Sequence, residues 1–187
     1  MHMLRRFAAL TVGIGLVGCQ APQVDFSTIK QPPRATELDA YEVFVGKWTW
    51  EAEALNADEK NKSWTGTAEW MWILDKRCLQ GKISARSADL SYDASGNWSR
   101  DPRSGKYIWS MDNNWGYPQK GTASYDSESK TWTMPFNSVG LDGTTSHGKY
   151  VMKVTDNDTL DWHLTESVDM LGMFKKLEMK GTYKRAK

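Results

Sequence analysis

Residues 148–166 read GKYVMKVTDNDTLDWHLTE, and this stretch decides the fold class. Two runs of alternating apolar residues flank the turn formers Asp156, Asn157 and Asp158, which predicts an antiparallel β-hairpin. Directly opposed residues of a hairpin have a constant sum of residue numbers and share one face. The opposed pairs are Val154 with Leu160, Met152 with Trp162, Tyr150 with Leu164, and Gly148 with Glu166. The pairing predicts an apolar inner face on which Glu166 points inward, opposite a glycine.

The same arithmetic predicts apolar inner faces on four further hairpins. A turn centred near Glu59 pairs Trp48 with Trp70, Trp50 with Ala68 and Ala52 with Gly66, and a turn at Leu74 and Asp75 pairs Trp70 with Leu79. A turn centred near Glu128 pairs Tyr125 with Trp132. A turn at Leu171 and Gly172 pairs Glu166 with Leu177, Leu164 with Met179 and Trp162 with Gly181. In the second hairpin, Arg77 falls opposite Trp72 as the one cation on an apolar face. Large residues mostly meet small ones, as a curved sheet that fills its own interior requires.

These registers, with no long helix between them, predict an all-β fold. Closure removes the exposed edges of a sheet, so we expect an antiparallel β-barrel of about eight to ten strands, preceded by a short N-terminal helix. A flat two-sheet sandwich is the alternative. The helix is predicted from Thr36, a candidate cap, with Leu38, Tyr41 and Phe44 on one face, and it would form a lid or plug. An irregular lead-in to the first strand is the competing interpretation.

Composition indicates one globular domain. The chain has 187 residues, 24 basic against 23 acidic side chains, 40% hydrophobic residues and ten tryptophans. A charge-balanced chain this rich in aromatics can bury one sizeable core, which excludes disordered, collagen-like and multi-span membrane proteins. The near-neutral charge also removes the basic patch that nucleic-acid binding requires, so no nucleic-acid partner is expected.

The N-terminus has the order of regions that is typical of an export signal. Residues 1–18 combine two arginines, an apolar run and a small residue before Cys19, and their end resembles the bacterial lipobox. The apolar run is too short to be an uncleaved spanning helix. We therefore expect a lipoprotein signal peptide at 1–18, lipid attachment at Cys19, and a proline-containing tether at 19–35.

The expected location is the cell envelope, as an outer-membrane lipoprotein facing the periplasm, because Gln20 rather than aspartate follows Cys19. Cys78 would then be the remaining thiol. It has no partner for a disulfide and is predicted to be a buried or half-buried apolar filler.

Val45-Gly46-Lys47-Trp48 resembles the Gly-x-Trp signature of the calycins, the lipocalin-like superfamily of barrels. In that superfamily an Arg or Lys at the end of the last strand packs across the tryptophan, which implies this role for Arg185. Gly46, Trp48 and Arg185 are thus the structural signature.

More closely, the domain at 36–187 resembles an uncharacterised bacterial family of calycin-like domains, catalogued as a domain of unknown function. The matching stretches are 44–48, 73–79, 101–107 and 177–185. The resemblance implies a barrel with an internal cavity, used as a membrane-tethered binding module without an established activity. Nitrobindin-like haem barrels of the same superfamily use a histidine before the last strand. The corresponding Leu171-Gly172-Met173-Phe174 contains none, so no haem or other cofactor is expected.

No assembled catalytic or metal site is predicted, so an enzyme is the least favoured interpretation. His147 and His163 would lie four residues apart along a hairpin, about 13 Å at the usual rise, which is too far for one metal ion. The chain has no nucleophile elbow and no P-loop. Glu166 is the one carboxylate placed inside with assurance, Asp112 being ambiguous, whereas hydrolysis of a glycoside would need two.

The candidate ligand-binding residues are those that can line a cavity: Trp50, Trp64, Trp72, Arg77, Trp109, Tyr150 and Glu166. Trp48, Trp70, Trp132 and Trp162 are predicted to be core packing, and Trp98 and Trp115 to lie in loops at 93–101 and 113–118. For Glu166, pairing with Arg77 or contact with water at the rim competes with ligand contact.

The predicted function is the binding of a small hydrophobic or amphipathic ligand by a lipid-anchored barrel. The alternative is an envelope interaction module, in which the barrel is solid and the loops of Trp98 and Trp115 contact protein or glycan. A hydrolytic enzyme comes third. The oligomeric state is not predicted.

Overall fold

A computed structural model describes Asp25, Ser27 and residues 30–170 and 173–187. The predictions for 1–18, for lipid on Cys19 and for the turn at Leu171 and Gly172 lie outside the described residues. The strands are β1 (Gly46–Ala54), β2 (Ser63–Ile73), β3 (Cys78–Arg86), β4 (Ser91–Arg100), β5 (Tyr107–Asn113), β6 (Gln119–Asp126), β7 (Thr131–Val139), β8 (Thr145–Asp156), β9 (Thr159–Met170) and β10 (Met173–Arg185). Two 3₁₀ helices span Thr36–Phe44 and Glu59–Asn61.

The ten strands form a closed barrel in which each strand pairs antiparallel with its neighbours in sequence and β1 pairs with β10. The closed sheet confirms the predicted barrel, and its ten strands are the upper end of the expected range of eight to ten. The alternative of a flat two-sheet sandwich is wrong. Within the described part of the chain, no helix is both long enough and apolar enough to cross a membrane.

The registers predicted for the C-terminal hairpins are confirmed. Trp162 pairs with Met152 on one side and Gly181 on the other, and Glu166 faces Gly148 and Leu177. Tyr125 pairs with Trp132 as predicted.

The registers predicted for the two N-terminal hairpins are wrong by two residues. Trp50 opposes Gly66 rather than Ala68, and Trp70 opposes Gly81 rather than Leu79. The glycines explain the shift, because a Cβ on Gly66 would lie 2.6 Å from Cε2 of Trp50, and one on Gly81 would overlap the Trp70 indole. Each bulky indole therefore lies over a residue that has no side chain.

The β2–β3 turn is also longer than predicted. Leu74, Asp75 and Lys76 all have left-handed φ values, of 51°, 54° and 60°, and residues 74–77 form the turn. Leu79 consequently takes the place opposite Trp72 that was predicted for Arg77. Arg77 belongs to the turn.

The segment 93–101, predicted from its sequence to be a loop, lies almost entirely within strand β4. Its Ser, Asp, Asn and Gly content is typical of turns. Alternate residues Ala94, Gly96 and Trp98 are nevertheless buried, which is the period of a strand with one inner face. Trp98 is therefore an interior residue and not a loop residue.

One end of the barrel is covered by the 3₁₀ helix Thr36–Phe44, in which Leu38, Tyr41 and Phe44 are buried. Their spacing of three residues suits a helix with three residues per turn. Tyr41 stacks on Trp132 at 4.7 Å between ring centroids, and Trp48 Nε1 donates a hydrogen bond of 2.8 Å to the Phe44 carbonyl. We call this the closed end. The helix's predicted role as a lid stays a prediction.

Arg185 contacts several chain segments at the closed end. Its guanidinium lies 4.3 Å from the centre of the Trp48 ring, which is the contact implied by the calycin resemblance. Nη1 and Nη2 donate to the carbonyls of Val45 and Val43, at 2.6 and 3.2 Å. A Cβ on Gly46 would lie only 2.8 Å from Nη1 of Arg185, so a glycine at this position leaves room for the guanidinium group.

Candidate functional site

The barrel encloses a cavity of about 410 Å³. All ten strands contribute inward side chains to it, and seven of the ten tryptophans line it. These are Trp50, Trp64, Trp70, Trp98, Trp109, Trp115 and Trp162. The volume lies within the range of small-molecule pockets, and the lining is mostly apolar, as in such pockets.

The mouth of the cavity lies at the end opposite the closed end. Loops 55–62, 87–90, 114–118 and 140–144 surround it, because they join strands at this end. Apolar residues are exposed at the rim of the mouth: the exposed fraction is 44% for Trp115 and 94% for Leu141. Trp115 also packs edge-on against Trp64, 6.2 Å between ring centroids, so one aromatic surface runs from the rim to the interior.

A small polar patch interrupts the apolar wall on the side of β6, β8 and β9. Ser146 Oγ donates a hydrogen bond of 2.6 Å to Glu166 Oε1, and Tyr150 donates one of 3.2 Å to Gln119 Oε1. Ser146 and Gln119 are buried. The patch forms because Ser146, Gly148 and Tyr150 alternate along the inner face of β8, beside Glu166 on β9.

Burial raises the pKa of the Glu166 carboxyl above its ordinary value, and this effect outweighs the hydrogen bond from Ser146 and the nearby His147, which both lower it. Burial also raises the pKa of the Tyr92 and Tyr150 hydroxyls, and the Glu166 charge raises both further. These two phenols therefore lie close to the carboxyl and remain protonated at neutral pH.

Glu166→Gln is expected to raise the melting temperature by about 2–4 °C above pH 7. A carboxyl whose folded-state pKa is raised costs stability as the pH climbs from 4.5, its ordinary value, through the folded value. The gain should therefore disappear below about pH 4. Glutamine can still accept the Ser146 hydrogen bond. Thermal melts by circular dichroism across this pH range measure it, with the exposed Glu51→Gln as control. A lower melting temperature at pH 8 would contradict the expectation.

Three indole N–H groups of the cavity wall, those of Trp50, Trp109 and Trp162, have no hydrogen-bond partner among the described residues. Trp64 and Trp115 differ, because their Nε1 atoms donate to the carbonyls of Asn61 and Ser91 at 2.9 and 2.7 Å. A buried donor without a partner costs about 1–3 kcal/mol. The cavity therefore holds donor capacity that an acceptor group could satisfy.

No protein-family model matches the chain, and no curated protein does. Solved structures do match its fold. A crystal structure of Rv2717c from M. tuberculosis matches with a TM-score of 0.58 and 14% sequence identity. The match covers 83% of this chain and 100% of Rv2717c. The S-type phycobiliprotein lyase CPES from Guillardia theta has a TM-score of 0.53 and 9% identity, covering 82% and 94%. The likeness is one of fold, a closed antiparallel β-barrel.

The barrel brings together five of the seven predicted binding residues: Trp50, Trp64, Trp109, Tyr150 and Glu166. Trp72 and Arg77 do not line the cavity and lie at the closed end. Trp72 Nε1 donates a 2.6 Å hydrogen bond to Glu42, and Arg34 lies 5.1 Å from its ring centre. Glu166 accepts a hydrogen bond from Ser146 on β8, whereas Arg77, the alternative partner considered for it, lies in the β2–β3 turn.

Several lining residues were not predicted as such. Trp70 and Trp162 were assigned to the core and Trp98 to a loop, whereas all three border the cavity. Ser146 could have been found, because it shares the inner face of β8 with Gly148 in the predicted register. Trp115 does lie in the predicted loop.

The part of the chain that the structure describes contains no group of three or more His, Cys, Asp or Glu side chains able to hold a metal ion. His147 faces Ser167 and His163 faces Val151, as predicted, and His163 Nε2 lies 2.9 Å from Glu178 Oε1. Cys78 is a half-buried free thiol, as expected, and burial raises its pKa.

Proposed function

We propose that this protein binds a small hydrophobic or amphipathic molecule inside the barrel. The observation that carries the proposal is the 410 Å³ cavity, walled by indole rings and reached through an apolar mouth. Apolar cavities of this kind bind apolar molecules, because transfer from water to such a wall contributes about 25 cal/mol per Å² of buried surface.

The wall is arranged to hold a ligand in one orientation. Trp98 and Trp109 are parallel, with an angle of 6° between their planes, and Trp109 meets Tyr150 edge-on at 5.9 Å. These rings present flat faces and edges to a bound molecule. The polar patch of Glu166, Ser146 and Gln119 lies on one side, so a ligand with one polar end has a preferred direction.

We also propose that the mature protein is a lipoprotein of the outer membrane, facing the periplasm and anchored through Cys19. The support is the arrangement of residues 1–18 and the small residue before the cysteine. Membership of the uncharacterised bacterial calycin-like family is part of the same proposal, supported by the matching stretches and by the contact between Arg185 and Trp48.

The interaction-module alternative has less support. It requires a solid barrel with Trp98 and Trp115 exposed in loops, whereas a cavity is present and Trp98 is buried within β4. Trp115 and its neighbours on the rim are also accounted for as the mouth of the cavity. We therefore retain ligand binding as the single proposed function.

Native mass spectrometry of the protein extracted from its own envelope tests the proposal. We expect an adduct that is lost under denaturing conditions, on a chain that begins at an acylated Cys19. The matched control is the double variant Ala85→Phe, Met111→Trp, which fills the cavity from two inner-face positions. It should keep the acyl mass and the melting temperature but lose the adduct. No adduct on the parent protein, or the same adduct on the filled variant, would overturn ligand binding in the cavity.

A further inference from the structure

The described residues that line the cavity include a negatively charged side chain but no positively charged one. Among the described residues that line it, Glu166 is the one carboxyl group, and none is a lysine, arginine or histidine. Nor do the salt bridges between described residues include Glu166. The buried carboxyl accepts a hydrogen bond from Ser146, and the nearby His147, whose charge lowers its pKa, is exposed and does not line the cavity.

The surroundings of Glu166 are aromatic. Tyr92 and Tyr150 lie close enough to interact with its charge. Tyr92 meets Trp115 edge-on at 5.3 Å, and Tyr150 meets Trp109 edge-on at 5.9 Å, so both tyrosines belong to the aromatic wall of the cavity. Aromatic faces attract cations, most strongly where water is excluded.

We propose that the ligand of this cavity is a cationic amphiphile, an amine or ammonium group on an apolar or aromatic body, whose positive group pairs with Glu166. The inference rests on the proposed ligand-binding function and names the chemical class of the ligand. The amine donates to the free lone pairs of the carboxylate, and the body lies against the indoles of Trp50, Trp98 and Trp109.

The same lining disfavours anionic ligands such as fatty acids. The unpartnered indole N–H groups could donate to a ligand carboxylate, but that carboxylate would also meet the like charge of Glu166 with no lining cation among the described residues to offset it. An alcohol could donate one hydrogen bond to Glu166 but would leave its charge without a counter-ion. The order of affinity within a series of equal size should therefore be amine, then alcohol, then carboxylate.

Isothermal titration calorimetry at pH 7.5 with three probes on one ring system tests this order: 1-naphthylmethylamine, 1-naphthylmethanol and 1-naphthoate. We expect the amine to bind at least tenfold more tightly than the alcohol, and the carboxylate more weakly than either. Glu166→Gln should bring the affinity for the amine to within about twofold of that for the alcohol. Glu51→Gln removes the same charge from the exposed outer face of β1 and should change nothing.

The outcomes separate the two proposals. Equal affinity of amine and alcohol, or tightest binding of the carboxylate, would overturn the cationic class while ligand binding in the cavity stands. The same holds if Glu166→Gln keeps the tenfold preference and its melting curve shows a folded protein. Failure of all three probes to bind the parent protein would overturn ligand binding for molecules of this size, and the cationic class with it.

Discussion

Trp132→Ala is expected to lower the free energy of unfolding by about 3–5 kcal/mol, the usual cost of removing a large buried aromatic. Trp132 has 0% of its surface exposed. It stacks on Tyr41 of the N-terminal helix and on Tyr125 of β6, each at 4.7 Å between ring centroids. Alanine would leave a void between the helix and the barrel, so the helix would lose its main contact.

Urea denaturation followed by circular dichroism measures this loss, and proteolysis should cut the N-terminal helix sooner in the variant. Trp115→Ala is the matched control, since it removes an indole from the exposed rim and loses one hydrogen bond to Ser91. It should cost no more than about 1 kcal/mol. Equal losses in the two variants would show that the helix does not depend on Trp132.

Arg185→Ala should cost about 2–4 kcal/mol, because one side chain joins three segments of the closed end. It donates to Val43 and Val45 before β1 and to Asn157 in the β8–β9 turn, and it covers Trp48. Its removal leaves these carbonyls without their donor and exposes one face of the indole.

Lysine should restore less than half of this stability, because an ammonium group cannot reproduce the planar fork of the guanidinium. Lys184→Ala, at the exposed neighbouring position on β10, is the control and should change stability by less than about 0.5 kcal/mol. Chemical denaturation of the three variants gives the comparison. Full rescue by lysine would mean that charge alone, and not the fork, fastens this end.

The barrel and its C-terminal registers could be predicted because tight turns leave little choice of pairing. The N-terminal registers could not be settled by burial, since a shift of two residues keeps every side chain on its own face. The deciding information was steric: Gly66 and Gly81 each lie beneath an indole. Strand β4 was missed because its composition resembles a turn although Ala94 and Trp98 alternate as in a strand.

The candidate site was predictable to the same extent. Alternation tells which face a residue occupies, and it identified Glu166 opposite Gly148. It says nothing of height along the barrel axis, which is why Trp72 was expected in the cavity although it lies at the closed end beside Glu42. Unpaired indole N–H groups, such as that of Trp109, depend on ring orientation and have no signature in the sequence.

If the helix Thr36–Phe44 closes its end of the barrel, as predicted for a lid, a bound molecule exchanges through the mouth alone. A molecule held inside must leave by the route through which it entered, so a competitor cannot displace it from behind. The rate of replacement is then set by departure of the first occupant and stays constant as the competitor concentration rises. Loading and unloading are both controlled at the mouth, where Tyr117 donates to Asp142 and ties two rim loops together.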